Sequence, residues 1–177
     1  NVYSILQLRH HQSIIDLKEK IDHAPKDKIY NIDLNYITSR GLWYHSSWKG
    51  DQTKSGGIAT NIGIHFFDML QWVFGPVQNI SVDIKTSDTN SGSLNLLRAN
   101  VKWYLSINSE NLPKEAKEKN FSTFRVLKIE DQQIEFSKGF TDLHTLSYQR
   151  ILGGNGYGLK DAKTSIEIVS QVRNMEL

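Results

Sequence analysis

The length, composition and charge of the chain indicate one water-soluble globular domain. Its 177 residues suit a single domain with a substantial core and are too few for two full domains. With 38% hydrophobic and 23% charged residues, and no apolar run near the roughly 18 residues of a membrane-spanning helix, it is not a membrane protein. The 21 basic and 19 acidic residues are scattered, so the net charge of +2 argues against nucleic-acid binding.

Two further features concern the cellular setting. There is no cysteine, which excludes disulfides and thiolate zinc sites and permits a cytoplasmic location. The chain begins with Asn1 rather than Met, and it lacks the charged and apolar regions of a signal peptide. We therefore expect a cytoplasmic protein, and we expect this chain to be a fragment of a longer one.

The first forty residues contain two predicted strands with a helix between them. Residues 2–8 are rich in strand-preferring side chains and run into a polar corner at residues 9–11. Apolar residues recur at helical spacing from Ser13, and Pro25 lies beyond the end of that predicted helix. Residues 28–39 alternate strictly, which predicts a strand with one buried face.

A long loop and a buried helix follow. Residues 40–55 form a predicted loop of about 16 residues, and loops of that length are usually functional or disordered. Its large aromatic side chains argue against disorder. From residue 58 to residue 74 the chain is apolar on so many sides that we expect a largely buried helix.

The rest of the chain combines strand-like segments with polar connectors. Alternation predicts strands at residues 77–86, 94–107, 121–130 and 133–136, and residues 145–148 are interpreted as a short further strand. The connectors are a turn-rich segment at 87–93, a charged excursion at 111–120 and a glycine-rich break at 153–158. A closing helix is predicted at 159–175. Antiparallel-style succession of strands with helices favours an α+β domain over an alternating parallel α/β fold.

The predicted helix at 58–74 carries a line of polar side chains. Asn61, His65 and Asp68 recur at offsets of four and three residues, so they share one face of the helix. Imidazole, with an ordinary pKa of about 6.5, suits proton transfer at neutral pH, and Asp68 is placed to orient it. In the alternative interpretations these side chains satisfy structural hydrogen bonds, or His65 and Asp68 join His10 or His11 in a metal site. No recognised metal spacing supports the metal site.

Several side chains outside the helix are candidates for ligand binding. Aromatic and basic groups suit a flat base with a phosphate or carboxylate, and the loop carries Trp43, Tyr44, Trp48 and Lys49. Arg9 offers a planar fork for an acidic group, with a surface salt bridge as the alternative. The alternative for the aromatic loop is a lid packed on the core.

The glycine-rich break does not match a dinucleotide-binding loop. The fingerprint needs three glycines in the pattern G-x-G-x-x-G directly after a buried strand, and the third glycine of Gly154, Gly156 and Gly158 comes one residue early. We interpret the break as a hinge before the last helix. The chain therefore contains no recognisable NAD-binding motif.

The glycine turn and helix at residues 55–68, Ser-Gly-Gly-Ile-Ala-Thr-Asn-Ile-Gly-Ile-His-Phe-Phe-Asp, resemble a family signature. The family is that of glucose-fructose oxidoreductase, inositol dehydrogenase and the rhizopine-catabolism proteins (Gfo/Idh/MocA). Its pattern is a Gly-Gly turn followed by an acid or amide four residues before a histidine. The residues from Gly154 to Ala162, followed by Ser165-Ile166, are similar to the last helix of the family.

Three shorter stretches resemble one branch of that family. They are Leu-Gln-Leu-Arg-His-His at 6–11, Gly-Leu-Trp-Tyr at 41–44 and Ser-Trp-Lys-Gly-Asp at 47–51. The branch oxidises UDP-N-acetylglucosaminuronic acid at C3, in the synthesis of diacetamido-mannuronic acid sugars of lipopolysaccharide. The resemblance spans nearly the whole chain.

The resemblance implies a C-terminal domain with an open, mainly antiparallel sheet and helices on one face, spanning residues 1–177. NAD would be bound mainly by an N-terminal Rossmann domain, which carries the dinucleotide loop and a Glu-Lys-Pro motif with a catalytic lysine, both absent here. His65 would act as acid/base beside the reacting hydroxyl, and Asn61 stands where many members have Asp. The substrate-binding candidates are Arg9, His11, Trp43, Tyr44, Trp48, Lys49 and Tyr157.

The resemblance also implies an assembly. The sheet of the family often packs against the sheet of another subunit, so we expect a homo-oligomer with Trp103 and Leu105 in its interface. A different class of function, a noncatalytic sugar-nucleotide-binding or oligomerisation module, stays open, as does a dehydrogenase of another sugar or cyclitol.

Overall fold

One mixed sheet organises the fold. The structure is a computed structural model, which describes residues 1–135 and 142–176. Within these residues six strands pair in the order β2-β3-β4-β1-β5-β6. They are β1 (Tyr30–Thr38), β2 (Val77–Lys85), β3 (Thr89–Leu96), β4 (Ala99–Ser106), β5 (Thr123–Ile129) and β6 (Gln132–Glu135). The β1–β4 pair is parallel and the other pairs are antiparallel, which confirms the predicted α+β class and mainly antiparallel sheet.

Helices connect the strands and pack on one another. The α-helices are α1 (Gln12–His23), α2 (Leu42–Ser46), α3 (Gln52–Ser55), α4 (Ile64–Phe74), α5 (Lys114–Glu118), α6 (Leu143–Leu152) and α7 (Leu159–Asn174). A π-helix at Ala59–Gly63 precedes α4, and 3-10 helices lie at Gln7–His10 and Ser109–Asn111. Across residues 1–135 and 142–176, no helix combines the length and apolar character needed to cross a membrane.

The core lies between α4 and the central strands. The Phe67 ring stands 5.3 Å from the indole of Trp103 in an edge-on contact, and both side chains are buried with Leu105. Burying a large apolar side chain contributes about 1.5–3 kcal/mol, so this contact is a main source of stability. The expectation that Trp103 and Leu105 lie in a subunit interface is wrong, because strand alternation points them at the helices. Lys102 and Tyr104 face the opposite side.

Most of the elements with clear periodicity agree with their predictions. α1 ends two residues before Pro25, and β1 alternates between buried and exposed residues as expected. The predicted hairpin forms between β5 and β6, with Glu130 in its turn at a φ of 50°. The last residue of the second predicted hairpin strand, Phe136, lies outside the described residues.

The predicted strand at residues 2–8 is wrong. Tyr3 makes a single bridge to Gly158, and a 3-10 helix begins at Gln7. The segment has strand-preferring side chains but runs beside the loop before α7 instead of beside a strand of the sheet. Tertiary context decides such short segments, and here Leu6 and Leu8 are buried without a β ladder.

The predictions for residues 87–107 are confirmed only in part, since β4 lies inside the predicted strand at 94–107. The connector and the single long strand are in fact a hairpin, in which β3 begins at Thr89 and the chain turns at Leu97 and Arg98 before β4. The turn lacks the usual Gly, Pro or Asn signal. Arg98 is buried and donates to the carbonyls of Ile21, Ala24 and Pro25 at 2.5, 3.3 and 2.6 Å, so this tertiary contact caps the C-terminal end of α1.

Three other segments are more helical than predicted. The long loop at 40–55 contains α2 and α3, and Asp51 caps α3 by accepting from the Thr53 backbone N–H at 2.9 Å. The segment read as a strand at 145–148 lies inside α6, and the charged excursion at 111–120 contains α5. Ser147 on α6 is buried and donates to the Leu143 carbonyl, a helical contact that strand propensity alone does not anticipate.

Candidate active site

A double-glycine turn comes directly before the helix that carries the candidate catalytic residues. Gly56 and Gly57 have φ angles of +76° and +77°, in the left-handed region that favours glycine. The chain then enters the π-helix, which holds Asn61, and passes into α4, whose second residue is His65. The predicted helix is therefore present but begins with a π segment. Such segments are rare and are frequent at functional sites.

Gly63 allows the π-helix to lie against the sheet. A Cβ atom at this position would stand 2.8 Å from Cε2 of Phe67 and 3.0 Å from Cδ1 of Leu105, and neither side chain is exposed to solvent. The close approach therefore fixes the height of Asn61 and His65 above β4.

We expect Gly63→Ala to lower the free energy of unfolding by about 1–2 kcal/mol, because overpacking of about 1–3 kcal/mol exceeds the gain of about 1 kcal/mol in helix propensity. Urea denaturation of the purified protein measures it. Ser170→Ala on the exposed face of α7 is the matched control and should change stability by less than about 0.5 kcal/mol. A Gly63→Ala protein as stable as wild type would show that the neighbours of Gly63 have room to move.

The surroundings of His65 lower the pKa of its imidazole. Its half-buried position lowers the pKa of the imidazole, the charge of Asp68 raises it, and nearby His144 on α6 lowers it. Burial is the largest of these effects, so the net direction is downward. The ring is neutral at pH 7 and is able to accept a proton.

We expect His65 to titrate below its ordinary value of 6.5 and the His144→Gln substitution to move its pKa upward, because a positive neighbour is removed. Since the folded state favours the neutral ring, the contribution of His65 to stability is complete above pH 6.5 and falls as the pH drops through that value. NMR titration of the imidazole carbons measures the pKa. His23→Gln, at the end of α1, is the control, and an unchanged His65 pKa in His144→Gln would contradict the assigned neighbour.

Tyr44 and Arg40 adjoin Asn61. The Tyr44 ring is buried, and burial raises the pKa of its hydroxyl, while the Arg40 charge and the nearby Asn61 amide lower it. The Cζ atom of Arg40 stands 5.8 Å from the centre of the Tyr44 ring. Among the described residues, no acceptor lies within hydrogen-bonding distance and geometry of Arg40 Nε, although this atom is buried. This part of the site therefore contains several hydrogen-bond donors, from Arg40, Tyr44 and Asn61.

Arg9 is engaged inside the protein. Its Nε and Nη2 atoms donate to the two carboxylate oxygens of Asp68 at 2.9 and 2.7 Å, and its Nη2 also donates to the Asp161 carbonyl at 3.2 Å. Its Cζ lies 4.8 Å from the centre of the Tyr157 ring, and Tyr157 stacks on His10 at 5.5 Å. Because both Asp68 oxygens face Arg9, Asp68 acts on His65 through its charge.

The remaining substrate-binding candidates lie in different settings. His11 is buried at the start of α1. Trp43 and Trp48 are each 58% exposed, and the Lys49 ammonium lies 5.9 Å from the Trp48 ring. The structure thus brings Tyr44 to Asn61 and Tyr157 to Arg9, while the two tryptophans and Lys49 point outward from this domain.

Sequence reasoning missed two residues of the site. His144 lies just before the segment interpreted as a strand, and its proximity to His65 depends on how α6 folds back. Arg40 was treated as the first residue of a loop, although a lone arginine beside three aromatic residues was a usable signal. Neither contact follows from local spacing.

Metal and dinucleotide sites find no support in the described residues. In the part of the chain that the structure describes, no group of three or more His, Asp or Glu side chains is placed to hold a metal ion. The break at residues 153–158 follows α6 rather than a strand, so it does not form the strand-to-helix turn that holds a dinucleotide.

Comparison with known proteins identifies one family profile and several similar structures. Residues 18–106 match the profile described as the oxidoreductase family, C-terminal alpha/beta domain. The WlbA (WbpB) dehydrogenase from Thermus thermophilus is similar in two structures. Its complex with NAD and alpha-ketoglutarate has 43% identity, and its complex with NAD and UDP-GlcNAcA has 41%. Each has a TM-score of 0.94, with 99% of this chain and 56% of that chain covered.

More distant structures share the fold alone. The WlbA dehydrogenase from Bordetella pertussis, in complex with NADH and UDP-GlcNAcA, has 18% identity and a TM-score of 0.72, with 97% of this chain and 59% of that chain covered. The present chain therefore spans little more than half the length of the proteins it matches.

Proposed function

The chain belongs to the Gfo/Idh/MocA oxidoreductase family, as its C-terminal α/β domain, and from that premise we propose that it binds substrate and supplies the catalytic histidine in an NAD-dependent dehydrogenase. The proposed substrate is UDP-N-acetylglucosaminuronic acid, oxidised at C3. The observation that carries the proposal is the half-buried His65 imidazole, whose lowered pKa keeps it neutral beside Asn61. The identity of 41% to a dehydrogenase solved with NAD and UDP-GlcNAcA supports the substrate.

The reaction divides between two parts of the protein. Oxidation of a secondary alcohol to a ketone removes a hydride from C3, for which NAD is the acceptor, and a proton from the C3 hydroxyl. Neutral His65 accepts that proton, and a general base of this kind contributes about 10²–10⁴-fold to the rate. The Asn61 amide does not exchange protons in this range, so its role is to orient the sugar through hydrogen bonds.

NAD binding is assigned to sequence beyond this domain. The described residues offer no strand-to-helix glycine loop, and the matched proteins are nearly twice as long as this chain. We propose that a Rossmann domain supplies the cofactor site and a catalytic lysine. The present domain then contributes Asn61, His65 and the substrate-binding candidates.

The proposed setting is a cytoplasmic pathway to lipopolysaccharide O-antigen sugars, with the enzyme as a homo-oligomer joined through the open sheet face. That face is polar and carries charges of both signs, since Asp33 lies between Lys102 of β4 and Lys128 of β5. A face of this kind suits pairing with a second copy of itself. Sedimentation velocity on the complete protein tests the assembly, and a monomer at micromolar concentration would contradict it.

The decisive experiment supplies the complete protein with UDP-N-acetylglucosaminuronic acid and NAD. We expect NADH to form together with a 3-keto sugar nucleotide, detected by absorbance and mass spectrometry. UDP-N-acetylglucosamine, free sugars and cyclitols are the comparison substrates. Oxidation of one of these in place of the uronic acid would refute the substrate, and tight sugar-nucleotide binding without turnover would favour the noncatalytic module.

A further inference from the structure

Arg40 is a half-buried cation that the protein leaves without an acidic partner. Its backbone N–H donates to the Ile107 carbonyl at 3.2 Å, which holds it where β1 and β4 end side by side. Its Nε atom is buried without an acceptor, and none of the ion pairs in the described residues includes it. Arg9, by contrast, is paired with the carboxylate of Asp68, and the Nη atoms of Arg98 donate to backbone carbonyls although its Nε also has no acceptor among the described residues.

A second polar side chain, Asn61, lies next to the tyrosine that Arg40 adjoins. The buried Tyr44 side chain adjoins both groups, since its ring centre lies 5.8 Å from the Cζ atom of Arg40 and its hydroxyl interacts with the Asn61 side chain. A buried donor without an acceptor destabilises a folded protein, and in Arg40 that donor belongs to a cation that forms no ion pair with the described residues, so an acidic ligand would stabilise it. His65, the proposed base, is one helical turn from Asn61.

The chemistry of these donors selects the ligand. A guanidinium presents a planar fork of N–H groups that matches the two oxygens of a carboxylate, and the positive charge of Arg40 has no ion-pair partner among the described residues. A uronic acid carries one carboxylate on the same pyranose ring as the reacting carbon. A diphosphate carries two charges and usually takes several cations or backbone N–H groups.

We propose that Arg40 binds the C6 carboxylate of the uronic acid, with the Asn61 amide donating to the same sugar, so that Arg40 selects uronic acids over neutral sugars. This inference rests on the proposed function. A sugar with CH₂OH at C6 would leave the guanidinium desolvated and unpaired, and sites built for a charged group reject neutral analogues strongly for that reason.

The test compares Arg40→Gln, Arg40→Lys and the wild type in the complete protein. We expect Arg40→Gln to raise KM for UDP-N-acetylglucosaminuronic acid by about 10- to 100-fold with little change in kcat, because binding to the carboxylate is the same in the ground and transition states. Preference for the uronic acid over UDP-N-acetylglucosamine should fall by a similar factor. Arg40→Lys keeps the charge and loses the planar fork, so its KM should lie between the KM of the wild type and the KM of Arg40→Gln.

The dissociation constant of UDP, measured by calorimetry, separates the carboxylate from the diphosphate. We expect it to be unchanged in Arg40→Gln, and Arg173→Gln on exposed α7 is the control for loss of a positive charge. Equal weakening of UDP and of the uronic acid substrate would place Arg40 on the diphosphate and overturn the proposal. So would an unchanged KM in a folded Arg40→Gln enzyme, as judged by circular dichroism.

The experiments distinguish an error in the proposed function from an error in the Arg40 assignment. A wild-type protein that neither binds nor oxidises UDP-N-acetylglucosaminuronic acid would refute the function and the Arg40 assignment together. An active wild type with an unaffected Arg40→Gln variant would refute the Arg40 assignment alone.

Discussion

Replacing His65 by alanine is expected to lower kcat for oxidation of the sugar nucleotide by about 10²–10⁴-fold in the complete enzyme, with a smaller change in KM. The imidazole is half-buried, its pKa is lowered, and it lies one helical turn from Asn61, while alanine removes it without adding bulk. Steady-state kinetics with UDP-N-acetylglucosaminuronic acid and NAD measures the effect.

The pH profile tests the role of His65 separately from its place in the fold. In the wild type the acid limb of kcat/KM should lie below pH 6.5, because the pKa of His65 is lowered. His65→Gln keeps a hydrogen-bonding side chain of similar size and should abolish that limb along with the activity. His23→Ala, at the exposed end of α1, is the control. If His65→Ala retained wild-type kcat, another group would have to be the base.

The sequence anticipated those parts of the fold that depend on local periodicity. The alternation of β1, with Ile32 and Leu34 buried and Asn31 and Asp33 exposed, is visible in the residues themselves because one face of the strand is covered. The helix with Asn61 and His65 was predicted from apolar spacing alone. What spacing did not reveal is its π segment, which depends on the approach of Gly63 to Leu105 of β4.

Errors occurred where a distant contact decides the local structure. The hairpin between β3 and β4 turns at Leu97 and Arg98 without turn residues, and Arg98 is used there because its guanidinium reaches the carbonyls at the end of α1. Residues 145–148 were interpreted as a short strand, although they lie inside α6, which packs as a helix near the 3-10 helix at Gln7–His10.

The candidate site shows the same division. Asn61 and His65 share one element, so their juxtaposition was predictable from a four-residue offset. Arg9 and Asp68 were each recognised as polar candidates, but their pairing joins positions 59 residues apart and no local pattern encodes it. Arg40 and Tyr44 are near neighbours in sequence, yet their relation to Asn61 requires the loop to fold into α2 and turn Tyr44 inward.

Arg9→Ala is expected to lower the free energy of unfolding by about 3–5 kcal/mol, because it leaves the carboxylate of Asp68 buried without its cation. The side chains of this pair are only 10% and 3% exposed. The pair joins the 3-10 helix at Gln7–His10 to α4, and Arg9 also donates to the Asp161 carbonyl at the start of α7. Equilibrium denaturation in urea, followed by tryptophan fluorescence, measures the change.

The matched control is the exposed pair of Lys18 and Asp22 on α1, whose N–O distance is 3.0 Å and whose side chains are 27% and 51% exposed. Lys18→Ala should lower the free energy of unfolding by less than about 1 kcal/mol, since water already solvates both charges. In Arg9→Met combined with Asp68→Leu, no charge is left buried, so most of the lost stability should return. If Arg9→Ala lowered the free energy of unfolding no more than Lys18→Ala does, the buried pair would not stabilise the fold, and the apolar contacts of α4 would hold the three elements together.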